Sequence, residues 1–536
     1  MQPIILSHKT RYSKLLLSLT TCLLVNVFSI LPGETAERID FKYGIGKISI
    51  EIEELETFAK TGKTEEELSI YLKFLSPQQQ ALLRNFLNTR YEMDATKINR
   101  IFVAKAGRSL FDNAGEIIQT EQGENGAEAM RLALATAAVH PDGLTPINIL
   151  AQFPTDILIN VNQIIEVRRQ LFSLIQETKN SVNSLIEMTV KEAKIQPVQN
   201  FNELPDLRQK GSFQVTKQTL EFVDKSRNRQ LFLDLYLPQQ IQKDSVPLII
   251  ISNGIGATRN RFSDFAQNLA SEGFAVAIAD HPGSNQKWQQ DFFAGIHQDN
   301  FEVQEFIDRP LDITFILDQL ETLNSSQFNN QLNLQKVGLF GYSFGGATAL
   351  ALAGAEINFE QLEQDCTPDN KRFNISLLYQ CRALELPRKT YSFKDDRIQA
   401  LFLFVPFGKS IFGKVGMSNV QVPVFWHATN EDVLTPLVLE QVPGFKQLAT
   451  PNKYFAVATG IPHTRVTFEL FNRWMNQGIT WDYLKQLSER YHNTLSTAFL
   501  KVYLSQDQQY SAYLTAAYIK QLSDKNYPLV FVRSLP

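Results

Sequence analysis

Residues 338–354 read GLFGYSFGGATALALAG, with Ser343 bracketed by glycines at 341, 345 and 346. Glycine weakens regular structure, so such a cluster marks a backbone that bends sharply or is approached closely. The run KVGLF before Gly341 is apolar and strand-like, and GGATALALAGA after the serine is helical. A Gly-x-Ser-x-Gly turn from strand to helix presents a serine side chain at a strained, exposed tip. A serine hydroxyl becomes a useful nucleophile only when a base takes its proton and a third group orients that base.

In chains built around such a turn, the acid and then the histidine follow the serine. Three of the seven histidines lie beyond Ser343: His427, His463 and His492. His427 sits inside the apolar run VPVFWHA and reads as a strand residue. His492, in ERYHNTL, reads as part of a C-terminal helix. His463 follows the strand-like FAVAT in a loop that opens with glycine and proline, GIPHTRV, and is the expected base. For the acid, VPVFWHATNEDVLTP ends a strand and offers Glu431 and Asp432. Asp432, followed by apolar residues and Thr-Pro, is the expected partner, with Glu431 facing solvent. Asp395 and Asp396 precede a strand and fall at the wrong end of a sheet, and FVPFGKS carries no carboxylate.

Attack on a carbonyl creates an oxyanion that needs two fixed donors. The N–H of Phe344, directly after the nucleophile, is one. The loop IISNGIGATRNRF supplies the other, assigned to the N–H of Ile255, with Gly254 and Gly256 letting the loop bend close to the serine.

These residues need a scaffold. From residue 212 onward, FQVTKQTLEFVD and RQLFLDLYLP alternate like paired strands. The wholly apolar runs VPLIIIS, FAVAIAD, KVGLFG, IQALFLFVP and VPVFWHA then alternate with helical stretches. That pattern predicts an α/β architecture: a mostly parallel sheet with helices on both faces. Residues 37–195 form a separate, predominantly helical block with no catalytic constellation. It opens on a short strand-like stretch and includes SPQQQALLRNFLNT, where Ser76 is a candidate N-cap with Pro77 behind it. Residues 196–211 read as a linker or surface strap, 212–480 as the catalytic domain, and 481–536 as C-terminal helices packed on it.

The stretches GYSFGG, ADHPGSN, FIDRPLDITFILDQL and ATNEDVLTP resemble the α/β-hydrolase superfamily, in particular the platelet-activating factor acetylhydrolase and dienelactone-hydrolase-like group. The chain is similar to exported bacterial members that carry a helical N-terminal domain of unknown function. The resemblance covers about residues 212–475 and implies a serine carboxylester hydrolase without cofactor or metal. Two departures stand out. Many relatives have His-Gly after the early strand where this chain has Asn253-Gly254, and the acetylhydrolases place their acid after the strand that here ends in FVPFG. His281, in ADHPGSN, reads as a turn residue in the active-site layer.

At the N-terminus, basic residues Lys9, Arg11 and Lys14 precede the uncharged run Leu15 to Gly33. This is the pattern of an export signal, with Ala36 offering a small residue near a cut at 1–36. The run is also near the length of an uncleaved membrane anchor. Cys22 reads as a residue of the apolar region. An exported chain meets an oxidising compartment, so Cys366 and Cys381 are expected to pair. The formal net charge of -4 gives no basic footprint for nucleic acid. The expected partner is a small-molecule or lipid ester, with membrane association through the N-terminal segment. Acyl transfer to another alcohol, and a non-catalytic binding protein on the same fold, are the competing readings. Residues 37–195 are expected to act as a lid over an acyl pocket, with Trp288, Phe292 and Phe293 completing its wall.

Overall fold

The computed structural model describes residues 35–64, 66–196, 200–239, 246–475 and 479–535. The basic and apolar N-terminal stretch, with Cys22, lies outside them. Among the described residues no helix is long and apolar enough to cross a membrane.

The described residues form two compact units: 35–98 with 114–163, and 99–113 with 164–535. The first is helical, as its alanine- and leucine-rich stretches imply, but it also holds a four-stranded sheet. Its strands are β1 (Arg38–Tyr43), β2 (Gly46–Glu51), β3 (Ile118–Thr120) and β4 (Ile157–Asn160), in the order β2-β1-β4-β3. β1 and β2 form a hairpin, and β1 pairs in parallel with β4, Ile39 facing Ile157. The helix Pro77–Asn88 begins on a complete capping box: the Ser76 hydroxyl accepts from Gln79 N–H, and Gln79 returns the bond to Ser76 N–H. Ala36 is buried, and its N–H donates to Phe153 O.

The second unit is built on a nine-stranded sheet. In chain order its strands are β5 (Val215–Asp224), β6 (Arg229–Pro238), β7 (Val246–Ser252), β8 (Ala275–Ala279), β9 (Leu332–Tyr342), β10 (Ile398–Phe404), β11 (Val424–Thr429), β12 (Lys453–Ala458) and β13 (Leu529–Val532). Their spatial order is β13-β12-β11-β10-β9-β7-β8-β6-β5. The six strands from β12 to β8 are parallel, while β6, β5 and β13 run antiparallel to their neighbours. Every residue of β7, β8 and β11 is buried, which is why these strands read as unbroken apolar runs.

Two apolar layers cover the sheet. On one face the helices Glu305–Gln327 and Phe344–Leu352 pack against Leu248, Ile250, Leu339 and Leu401. On the other, the helix Trp481–Tyr503 lays Leu495, Ala498 and Phe499 over Phe340, Phe402 and Phe425. The segment Pro205–Leu207 ties down as a strap: Leu207 is buried, and Tyr513 OH donates to Pro205 O at 2.5 Å. From Ile164 onward the long helix Val161–Ile195 belongs to this unit. Thr189 pins it to the edge strand, donating through Oγ1 to Phe531 O and accepting from Phe531 N–H, both at 2.9 Å.

Candidate active site

The parallel strands all end at one edge of the sheet. Ser343 follows β9, Asp432 follows β11 and His463 follows β12. The turn at Ser343 is strained: φ 54° and ψ -116° place a non-glycine residue in the left-handed half of backbone space. Its N–H donates to Phe404 O at 3.0 Å, and its own carbonyl accepts from Gly346 N–H at 2.9 Å. The flanking glycines answer to close approach. A Cβ on Gly341 would lie 2.5 Å from Gly345 O, one on Gly345 would overlap the Ser252 carbonyl, and one on Gly346 would overlap the Pro406 ring. The serine itself is half-buried, and its hydroxyl has no hydrogen-bond partner among the described residues.

His463 Nδ1 meets Asp432 Oδ2 at 2.6 Å, and both residues are buried at 4% exposure. The aspartate is held from several sides. Its Oδ1 accepts from Leu434 N–H and Thr435 N–H at 2.8 Å each, and Oδ2 accepts from Thr435 Oγ1 at 2.6 Å. Burial alone would raise the Asp432 pKa. The charge and hydrogen bond of His463, with the Thr435 contacts, outweigh it and hold the carboxyl below its ordinary value. An ionised Asp432 fixes the proton on His463 Nδ1 and leaves Nε2 free to accept. Tyr342, adjacent to Ser343, donates from its hydroxyl to His463 O at 3.1 Å and sets its ring 5.4 Å from the imidazole. Arg261 in turn donates to the Tyr342 hydroxyl at 2.9 Å.

The alternative residues lie elsewhere. Glu431 is exposed. Asp395 precedes β10 and is engaged by Arg397 at 2.6 Å. His427 on β11 and His492 on the C-terminal helix are buried among Phe402 and Phe404, their rings 4.9 Å apart. Burial lowers the His427 pKa to about 3 and takes His492 well below its ordinary value, so neither serves as a proton acceptor near neutrality.

The loop after β7 reaches the serine. A Cβ on Gly254 would sit 3.1 Å from Ser343 Cβ and from the Tyr342 ring, and Gly256 adopts φ +71°. The N–H groups of Ile255 and Phe344 donate to no acceptor among the described residues. Such free, rigidly mounted donors are what an oxyanion requires.

Behind this loop lies a buried charged cluster that the sequence pattern did not disclose. Arg229 grips Asp312 at 2.7 Å and Glu305 at 2.8 Å, and Arg227 bridges Asp224, Asp308 and Asp312. His281 lies between Asp312 Oδ2 at 3.1 Å and Ser252 Oγ at 3.0 Å. Burial drives its pKa well down, with Arg309 adding to the effect. His281 is therefore neutral, donating from Nδ1 to the carboxylate and accepting the Ser252 hydroxyl at Nε2. In the sequence the density of charge in FIDRPLD reads equally well as a solvated helix face.

Cys366 and Cys381 form a disulfide. It closes part of the insertion between the helix Phe344–Leu352 and β10. Among the described residues no group of three or more His, Cys, Asp or Glu side chains is placed to hold a metal ion. A cavity of about 770 Å³ opens beside Asp432. Its apolar lining includes Leu171, Leu174 and Ile175 of the long helix, together with Phe373, Ile375 and Leu437. Trp288, Phe292 and Phe293, expected to complete an acyl-pocket wall, do not line it. Trp288 stacks on His297, and Phe292 packs beneath Arg100.

Comparison with known proteins matches residues 247–358 to the alpha/beta hydrolase fold, a stretch running from β7 through the Ser343 turn and the helix after it. Residues 35–160 match the family described as alpha/beta hydrolase of unknown function (DUF1400). These two matches support assignment of the chain to the α/β-hydrolase superfamily. Within the superfamily, platelet-activating factor acetylhydrolase of Canis lupus familiaris is 30% identical over 151 residues, covering 22% of this chain and 34% of that protein. The chain thus spans about a third of the length of this curated relative. Together the superfamily and the relative support hydrolase activity in general.

Proposed function

We propose that the chain is an exported serine hydrolase of carboxylic esters, with Ser343 as nucleophile, His463 as base and Asp432 as the acid that orients it. The observation that carries this reading is the buried 2.6 Å contact between His463 Nδ1 and Asp432 Oδ2, at the same sheet edge as the strained Ser343 turn.

In this reading Ser343 Oγ attacks the ester carbonyl while His463 Nε2 takes its proton. The oxyanion accepts from the N–H groups of Phe344 and Ile255. Collapse expels the alcohol, protonated by His463, and leaves an acyl-enzyme. Water, losing a proton to His463, then attacks the acyl carbon; the acid leaves and Ser343 recovers its proton. No cofactor enters these steps. The unbonded serine hydroxyl suits a resting site, because such hydrogen bonds often tighten only with substrate in place.

The cavity beside Asp432, whose lining includes neither Ser343 nor His463, has an apolar wall suited to an acyl chain, and Leu171, Leu174 and Ile175 of the second unit's long helix contribute to it. The disulfide fits an oxidising compartment and so supports export. The test is hydrolysis of p-nitrophenyl esters of increasing chain length by wild type and Ser343→Ala, with a competing alcohol present to reveal acyl transfer. The reading expects release of free acid by wild type and none above background by the variant. Equal activity in both proteins would overturn it.

A further inference from the structure

Among the basic residues of the buried cluster, Arg309 is placed differently. Arg227 and Arg229 spend their hydrogen bonds mostly on carboxylates. Arg309, 1% exposed, donates to none: its partners are the backbone carbonyl of Asn253, Ser284 Oγ at 3.1 Å and Ser252 Oγ at 3.4 Å. Its guanidinium also lies over the Phe344 ring, 4.5 Å from the centroid. One side chain therefore meets both segments that carry the free N–H donors: the loop Asn253–Ile255 at the Asn253 carbonyl, and the start of the helix through the Phe344 ring.

The surroundings keep that contact in register. Ser284 donates to Glu305 Oε2 at 2.6 Å, and Ser284 O accepts from Gly256 N–H at 2.7 Å. The same serine thus anchors the loop through its backbone and Arg309 through its side chain. Phe344 is fixed on its other sides by Phe306 at 5.0 Å and by stacking on Phe407 at 5.2 Å. The absent side chain of Gly345 lets Ser252 and Asn253 sit directly against the helix. A planar fork with several donors can hold a carbonyl and two hydroxyls at once while stacking on an aromatic ring; an ammonium group cannot reproduce that geometry. Burial lowers the Arg309 pKa to about 10 against the opposing pull of the neighbouring Glu305 and Asp312, so the guanidinium stays charged near neutrality.

We infer that Arg309 is the positioning residue of the oxyanion hole, setting the spacing between the Ile255 and Phe344 donors from behind. The inference rests on the serine hydrolase reading above. Displacement of catalytic groups by about 1 Å can cost on the order of 10²-fold in rate. Such a loss falls on the tetrahedral state and spares substrate binding.

The experiment compares wild type with Arg309→Lys, and measures kcat, KM and the inhibition constant of a trifluoromethyl ketone substrate analogue, whose serine adduct carries an oxyanion. The expected result is a kcat lowered by about 30- to 100-fold, a ketone affinity weakened by a similar factor, and a KM within about threefold. A folded Arg309→Lys protein with kcat and ketone affinity within twofold of wild type would overturn the inference. So would equal weakening of KM and ketone affinity, which marks general loosening. If Arg309→Lys is not recovered folded, Ser284→Ala removes one anchor of the same fork. It should then show the same split at about tenfold, and its absence would overturn the inference. A wild-type protein that forms no ketone adduct at Ser343 would instead remove the reading beneath it.

Discussion

A Cβ added to Gly345 would overlap the carbonyl oxygen of Ser252, so the helix after the nucleophile lies directly on the end of β7. Neither partner is a flexible side chain, and the clash cannot be relieved by a rotamer change. Gly345→Ala should destabilise the protein by about 3 kcal/mol or more, measured by urea unfolding. Gly46→Ala, whose Cβ would meet only Tyr43 O at 3.4 Å, should change stability by less than about 0.5 kcal/mol.

In the proposed triad Asp432 orients His463 and offsets the charge that the imidazole gains. Asp432→Asn should lower kcat by about 10³- to 10⁴-fold with the fold intact, because the amide favours the wrong histidine tautomer. Thr435→Val removes the 2.6 Å bond to Oδ2 and should cost about tenfold. Asp395→Asn, at the opposite end of the sheet, should leave kcat near wild type. Steady-state kinetics on the three variants decides between the two carboxylate positions.

His427 and His492 are buried side by side, with both ring nitrogens of His427 and Nε2 of His492 unbonded among the described residues. Their pKa values fall in the fold, that of His427 to about 3, against about 6.5 for the unfolded chain. Between those values the unfolded state binds protons that the folded state refuses. Stability therefore declines as pH falls below about 6.5, by up to about 1.4 kcal/mol per pH unit for each histidine. His427→Leu should flatten the decline between pH 6 and 5, read from urea midpoints at each pH. A slope unchanged from wild type would contradict the assignment.

The cavity beside Asp432 takes part of its apolar wall from the long helix at Leu174. Leu174→Trp should fill it. Long-chain ester hydrolysis should fall about tenfold in kcat/KM, while acetyl esters stay within twofold. Equal effects on both would separate the cavity from the acyl site.

The Ser343 turn was legible because its cause is local: glycines, a strand pattern and a helix pattern adjoin it. His463 and Asp432 were legible because each follows an apolar strand that reads clearly by itself. The apolar runs also disclosed most of the large sheet. The small sheet in the first unit was not, since β1 pairs with β4 from residue 39 to residue 157, and neither short strand marks its partner. β13 is four apolar residues near the chain end, too short to stand out, and it becomes a strand only by pairing with β12. The Arg309 cluster joins residues from 227–229, 252–253, 281–284 and 305–312, so its meaning exists only in three dimensions.

The central claim is that Ser343 is a nucleophile activated by His463 and Asp432. Its most direct test is reaction with a fluorophosphonate followed by peptide mass mapping, on wild type, Ser343→Ala and His463→Ala. The account predicts one phosphonyl adduct per chain on Ser343 in wild type, none in Ser343→Ala, and labelling slowed by at least about 10³-fold in His463→Ala. An adduct on another residue, or labelling of Ser343 that is indifferent to His463, would contradict it.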